Sequence, residues 1–168
     1  MKNTNIYVDM DGVQAVYGVN DSVETMSEIG YFRNRPVQKN VIDFIKMMLR
    51  DQRFHVSILS AVFQDEHSAT EKKQWLVENG LGGVKTIFTP CGARKGDYVD
   101  GDGMNILIDD YSRNLIDWET CGENFKGIKF DNGINGTKGT WKKRGGIVLS
   151  KELSAGEMYG FMRGMVEK

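Results

Sequence analysis

Two short apolar runs in this chain each end in a pair of aspartates, and that coincidence restricts its folding more than any other feature. The first is Ile6-Tyr7-Val8-Asp9-Met10-Asp11-Gly12-Val13, and the second is Ile106-Leu107-Ile108-Asp109-Asp110. Runs of β-branched, aromatic and aliphatic residues closed by Asp-Gly or Asp-Asp read as buried strands opening into loops. Asp9 and Asp11 are two residues apart, so their side chains project to the same side wherever the extended conformation persists. Like charges held that close repel unless a proton or cation intervenes. A single Asp-x-Asp-Gly is explained equally well by a turn or a helix cap. Two buried strands that both end in acids are costly to pack, and the cost falls only if something cationic sits at those ends.

The rest of the chain alternates in the same manner. Residues 5–9 read as a strand, and a polar stretch over residues 17–34 separates it from the next element. After Pro36, which suits a first helical turn, Val41, Ile42, Phe44, Ile45, Met48 and Leu49 recur at helical spacing. That pattern predicts a helix of about four turns. Residues 55–59 form a second predicted strand, and residues 65–79 a helix carrying Trp75 and Leu76, stopped by Asn79-Gly80. Strands are expected over 84–88, 104–108 and 127–130, with a helix over 113–120, and a strand plus a Met-containing helix within 146–168. Strands alternating with helices at this spacing predict a single α/β domain over residues 1–168, a Rossmann-like three-layer sandwich with a central parallel sheet. Ligands of such sheets bind outside the carboxyl ends of the strands. Asp9, Asp11, Ser60, Thr89, Asp109 and Asp110 all fall at or just past predicted strand ends.

Composition matters here mainly for what it excludes. With 22 Lys and Arg against 23 Asp and Glu, the net charge of −1 creates no global field that would gather nucleic acid or a membrane surface. The most basic local run is Lys138, Lys142, Lys143 and Arg144 around Trp141, and a solvated loop explains it better than a polyanion patch. Neither a leader segment nor an apolar run of membrane-spanning length is visible, so a cytoplasmic location is expected. Cys91 and Cys121 are too few and too far apart for a disulfide framework or a zinc site, and buried, inert thiols are the expectation. Three or four carboxylates without His or Cys nearby point to Mg²⁺ as the cofactor. A Ca²⁺ loop fits poorly, because the acids are not spaced within one loop.

In these residues the chain resembles the haloacid dehalogenase superfamily of phosphohydrolases. Asp9-Met10-Asp11-Gly12 resembles its first motif, Ser60 its second, Lys95 its third and Ile106 to Asp110 its fourth. Within the superfamily, the likeness is greatest to the 5'(3')-deoxyribonucleotidase branch, through residues 30–36, Lys72 ahead of Trp75, and residues 106–118. The resemblance spans residues 5 to about 136. It implies a phosphomonoesterase in which Asp9 is the nucleophile and Asp11 the general acid and base, with Lys95 offsetting charge. Mg²⁺ would be held by Asp9, Asp109 and the main-chain carbonyl of Asp11, with Asp110 in support. Ser60, with Ala61 beside it, would contact the phosphoryl oxygens, and Lys72 is either a further phosphate contact or a surface lysine.

The sequence departs from that branch in two places. Only about residues 16–31 remain for a cap, enough for one short helix, and Ser60-Ala61-Val62 lacks a second hydroxyl and a proline. Tyr17, Tyr31 and Phe32 are better read as anchors for that stub than as a platform for a base, and His67 as a helix-surface residue. The expected substrate is a small phosphate ester, a nucleotide above all. Two alternatives are a phosphatase for a nucleic-acid terminus or a phosphoprotein, and a non-catalytic phosphate-binding module. No membrane partner is expected, nucleic acid is disfavoured by charge but left open, and the C-terminal helix either covers the core or makes a homo-oligomer contact.

Overall fold

The computed structural model describes residues 4–135 and 139–167, so Lys138 and Lys168 lie outside the described residues. Six parallel strands form one sheet in the order β3-β2-β1-β4-β5-β6: β1 (Thr4–Val8), β2 (Phe54–Val62), β3 (Lys85–Pro90), β4 (Met104–Asp109), β5 (Phe125–Asp131) and β6 (Ile147–Ser150). Helices lie on both faces, giving the expected three-layer α/β architecture. The helices are α1 (Val23–Met26), α2 (Lys39–Leu49), α3 (Ser68–Glu78), α4 (Ser112–Glu119), α5 (Thr140–Lys143) and α6 (Ala155–Val166).

The strands read as unbroken apolar runs because both faces of the sheet are covered. Ile6 and Val8 of β1 join Ile58, Ile106 and Ile108 on one face, where Phe44 and Ile45 of α2, Trp75 of α3 and Met158 and Met162 of α6 close over them. Tyr7, between them in sequence, points the other way and packs with Leu59, Leu107, Leu115, Trp118 and Trp141. That alternation is the strand pleat expressed as two cores. The C-terminal helix thus covers the core: Met158 and Met162 are fully buried, and the Tyr159 hydroxyl donates to Asp51 at 2.8 Å.

Several element boundaries differ from those expected. The helix after Pro36 has 11 residues and begins at Lys39, nearer three turns than four. Asp65 stands outside α3, where its Oδ1 accepts the Ser68 and His67 N–H groups at 2.7 and 3.1 Å, satisfying two of the donors that a helix start leaves free. His67 accordingly sits at the helix entry and is only partly exposed, not on the outer helix face. At the other end, Leu81 N–H donates to Leu76 C=O at 2.8 Å around Gly80, the expected stop. Strand β2 runs to Val62, so Ser60 and Ala61 are strand residues and do not follow the strand. Cys91 is exposed and Cys121 partly buried; both are free, which corrects the expectation of two buried thiols.

The segment over residues 16–31 holds a single four-residue helix, α1. Tyr31 and Phe32 pack edge to face with ring centroids 5.0 Å apart, and Phe32 is 1 % exposed. They anchor the segment, as expected of a stub that could not order itself.

Candidate active site

The site starts from the middle of the sheet. Strand β1 pairs with β2 on one side and β4 on the other, with Val8 opposite both Ile58 and Ile108. The chain then leaves the sheet at Asp9, whose N–H still donates to Ile108 C=O at 2.9 Å. A tight turn follows, in which the Gln14 and Ala15 N–H groups both donate to Met10 C=O at 2.9 Å. Gln14 is fully buried beneath it and donates to Asp9 C=O at 3.0 Å. These bonds fix the Asp9 carboxyl at the carboxyl edge of the sheet, next to the end of β4.

Asp9, Asp109 and Asp110 are all buried, and one carboxylate oxygen from each lies within 4.8 Å of the other two. This set can hold a metal ion. It overlaps the expected ligands but is not identical to them, because the Asp11 carboxylate turns away and pairs with Lys72. The expected contribution of Asp11 through its main-chain carbonyl does not depend on that side chain.

Two buried lysines organise the acids. Lys95 lies on a 3₁₀ turn (Lys95–Tyr98) after β3 and reaches Asp9 at 2.8 Å and Asp109 at 2.7 Å. Lys72 projects from α3, is 1 % exposed, and donates to Ala61 C=O at 2.6 Å and Ser60 Oγ at 3.1 Å as well as to Asp11. Its ammonium also stands 4.4 Å from the centre of the Phe32 ring. Lys72 is therefore no surface lysine. It links Asp11 to the second expected phosphate-contact segment, Ser60-Ala61.

A second ring of polar groups is not among the residues expected from the sequence. Asn114 in the first turn of α4 donates to Asp109 at 3.0 Å, and Asn132 and Asn135, past the end of β5, donate to Asp110 at 2.8 and 2.6 Å. Asn132 also donates to Gly12 C=O at 3.0 Å, tying the two acidic loops together. Lys129 is 3 % exposed and donates to Asp110 C=O at 2.5 Å. A lysine inside the otherwise apolar run Gly127-Ile128-Lys129-Phe130 was the one signal that could have flagged this ring.

Burial is the main electrostatic influence. It raises the Asp9 carboxyl above the usual carboxylate range, with Asp109 and Asp11 adding to the effect and Lys95 opposing it. Asp110 is likewise raised by burial, then by Asp109 and Asp9, against the two amides. Burial alone would lower Lys95, but Asp109 and Asp9 outweigh it and hold the ammonium above its ordinary value. Acids with raised folded values keep protons that the unfolded chain has already released. Metal-free stability therefore falls as pH rises from the ordinary carboxylate range, about 4, through those raised values. A divalent cation held by the three acids would take the place of the protons. Added Mg²⁺ should raise the melting midpoint more at pH 8 than at pH 5.5, and an equal or larger rise at pH 5.5 in thermal unfolding would contradict this assignment.

Gly12 is required twice over. Its φ is +76°, and a Cβ there would collide with Asp110 Oδ2. Gly12→Ala should cost about 1–2 kcal/mol for the backbone conformation alone. It should also weaken any divalent-cation binding by the three acids, since Asp110 must move; titration calorimetry alongside chemical unfolding would read both effects.

No protein-family model matches the chain, and no curated protein matches it. Among solved structures, a chain in the Pnkp1/Rnl/Hen1 complex superposes with a TM-score of 0.55 at 12% identity, over 76% of this chain and 46% of that one. This chain thus spans less than half of that protein's length, and the likeness is one of fold.

Proposed function

We propose that this chain is a Mg²⁺-dependent phosphomonoesterase that works through an aspartyl-phosphate at Asp9 and acts on a small phosphate ester, a nucleotide above all. The observation that carries the reading is the buried trio Asp9, Asp109 and Asp110 with Lys95 bridging two of its members. Every donor in the trio is a hard oxygen, which suits Mg²⁺. Mg²⁺ would be held by Asp9, Asp109 and Asp110, with the Asp11 carbonyl as a further donor, and would supply positive charge against the phosphoryl oxygens.

In this reading an Asp9 carboxylate oxygen attacks phosphorus as the ester P–O bond breaks, and the bonding pair leaves with the ester oxygen. Asp11, two residues on, gives that oxygen its proton and then takes one from the water that cleaves the aspartyl-phosphate. Lys72 now holds Asp11, Ser60 Oγ and Ala61 C=O together. A bound phosphoryl group competes for that ammonium, and its arrival would release Asp11 for proton transfer. Lys95 keeps Asp9 oriented and offsets charge as it builds.

The short segment over residues 16–31 supports a second reading, in which the open site admits a larger phosphorylated substrate. The deciding experiment measures Mg²⁺-dependent phosphate release first from an aryl phosphate, then from a panel of 5' and 3' nucleotides alongside a phosphorylated oligonucleotide. Turnover of mononucleotides well above the oligonucleotide supports the first reading, and the reverse order the second. Tight phosphate binding without turnover of any ester would leave only a phosphate-binding module.

A further inference from the structure

We infer that the asparagines around the acid trio, Asn132 and Asn135 above all, are positioning residues that make the site select Mg²⁺ over Ca²⁺. This rests on the metal site proposed above and adds residues outside its ligand set.

The argument is one of lone pairs. A carboxylate oxygen has two, and each accepted N–H occupies one. Asp110 Oδ2 receives Asn132 at 2.8 Å and Asn135 at 2.6 Å, so both of its lone pairs are taken. Asp109 Oδ2 receives Lys95 at 2.7 Å and Asn114 at 3.0 Å, and it too is full. Asp9 Oδ1 faces Lys95 at 2.8 Å. Asp109 Oδ1 in addition accepts the Tyr111 N–H at 2.8 Å, so Asp109 and Asp110 each offer a cation only Oδ1, that of Asp109 through its one remaining lone pair. Neither Asp109 nor Asp110 is set up to chelate with both.

One-oxygen carboxylates suit a small ion with strict octahedral geometry, whereas Ca²⁺ prefers more oxygens and readily takes carboxylates two at a time. The amides also hold the geometry from elsewhere in the fold. Asn132 Oδ1 accepts the Ile134 and Asn135 N–H groups at 2.9 and 3.0 Å, so its own orientation is fixed, and its Nδ2 bridges Asp110 and Gly12 C=O. Freed from these donors, Asp110 can turn both oxygens to a larger ion.

The test is binding, read by titration calorimetry with Mg²⁺ alone and Ca²⁺ alone, and needs no turnover. The wild-type chain should bind Mg²⁺ in preference to Ca²⁺. In the double variant Asn132→Ala with Asn135→Ala, the preference should fall by about tenfold, the lower end of effects seen when groups behind metal ligands are removed. The fall should come through tighter Ca²⁺ binding, which a merely loosened site would not produce. Asn135→Ala alone, removing one bond from a partly exposed side chain, should shift the ratio in the same direction and serves if the double variant does not fold. An unchanged ratio in the variants, or equal weakening of both ions, overturns the inference while leaving the metal site standing. Absence of any divalent-ion binding by the wild-type chain overturns both, and is seen before any variant is made.

Discussion

Asp9→Asn should lower Mg²⁺-dependent phosphate release by at least about a thousandfold, the scale on which removal of a covalent nucleophile is felt. An amide keeps the size and shape of the side chain but is a far weaker nucleophile and carries no charge for a metal. The folded state should survive, because Asp9 is buried next to Asp109 and Asp11 and its ionised form is disfavoured there. A thermal midpoint at or above that of the wild type in metal-free buffer would show that the lost activity is chemical. Quenching the wild-type reaction with acid during turnover should trap phosphate on the protein at Asp9, and Asp9→Asn should trap none. Retention of a tenth or more of wild-type turnover in Asp9→Asn would remove Asp9 from the nucleophile's role.

Lys95→Met should have the largest effect on the fold itself. Its ammonium is buried between Asp9 and Asp109, and no other side-chain cation contacts either acid among the described residues. Removing one member of a buried charged set leaves the others uncompensated, which costs about 3–5 kcal/mol. In a chain of this length that corresponds to a midpoint lower by about 10 °C. The loss should depend on pH in a defined direction. Without Lys95 the carboxyls rise further, so they protonate more readily, and the deficit at pH 8 should shrink at pH 5.5. Saturating Mg²⁺ should also recover part of it. A loss that is the same at both pH values and indifferent to Mg²⁺ would mean that Lys95 acts by packing its alkyl chain and not by its charge.

The contrast between these two acts on one site shows what in the chain could be read early. Val8, Ile58 and Ile108 lie on three adjacent strands because apolar runs of that length, flanked by polar turns and helical repeats, have few other ways to be covered on both faces. The acids at their ends were legible for the same reason: a polar residue closing a buried strand must emerge at the sheet edge. The lysines were legible only as candidates. Lys95 lies on a 3₁₀ turn that no periodicity announces, and Lys72 sits on a helix whose outward and inward faces differ little in polarity. Helix α3 buries Glu71 and Lys72 beside Trp75, a pattern that propensity and spacing do not favour. Glu71 is satisfied by the Gly30 and Phe32 N–H groups at 2.5 and 3.2 Å, so the segment after α1 supplies the partners that make its burial tolerable.

The amino-acid sequence by itself determined the layers of this protein and the edge on which its acids gather, because strand pleat and helical period act over a few residues. Which carboxylates meet was decided only in three dimensions. The turn after Asp9 swings the Asp11 side chain to Lys72, and the positive φ of Gly12 opens room for Asp110, while Asn132, 120 residues beyond Gly12, ties the Asp110 carboxylate to the Gly12 carbonyl. The three acids that can together hold a metal ion are therefore Asp9, Asp109 and Asp110. Such choices depend on contacts between segments remote in the chain, and those contacts exist only once the sheet has brought the segments together.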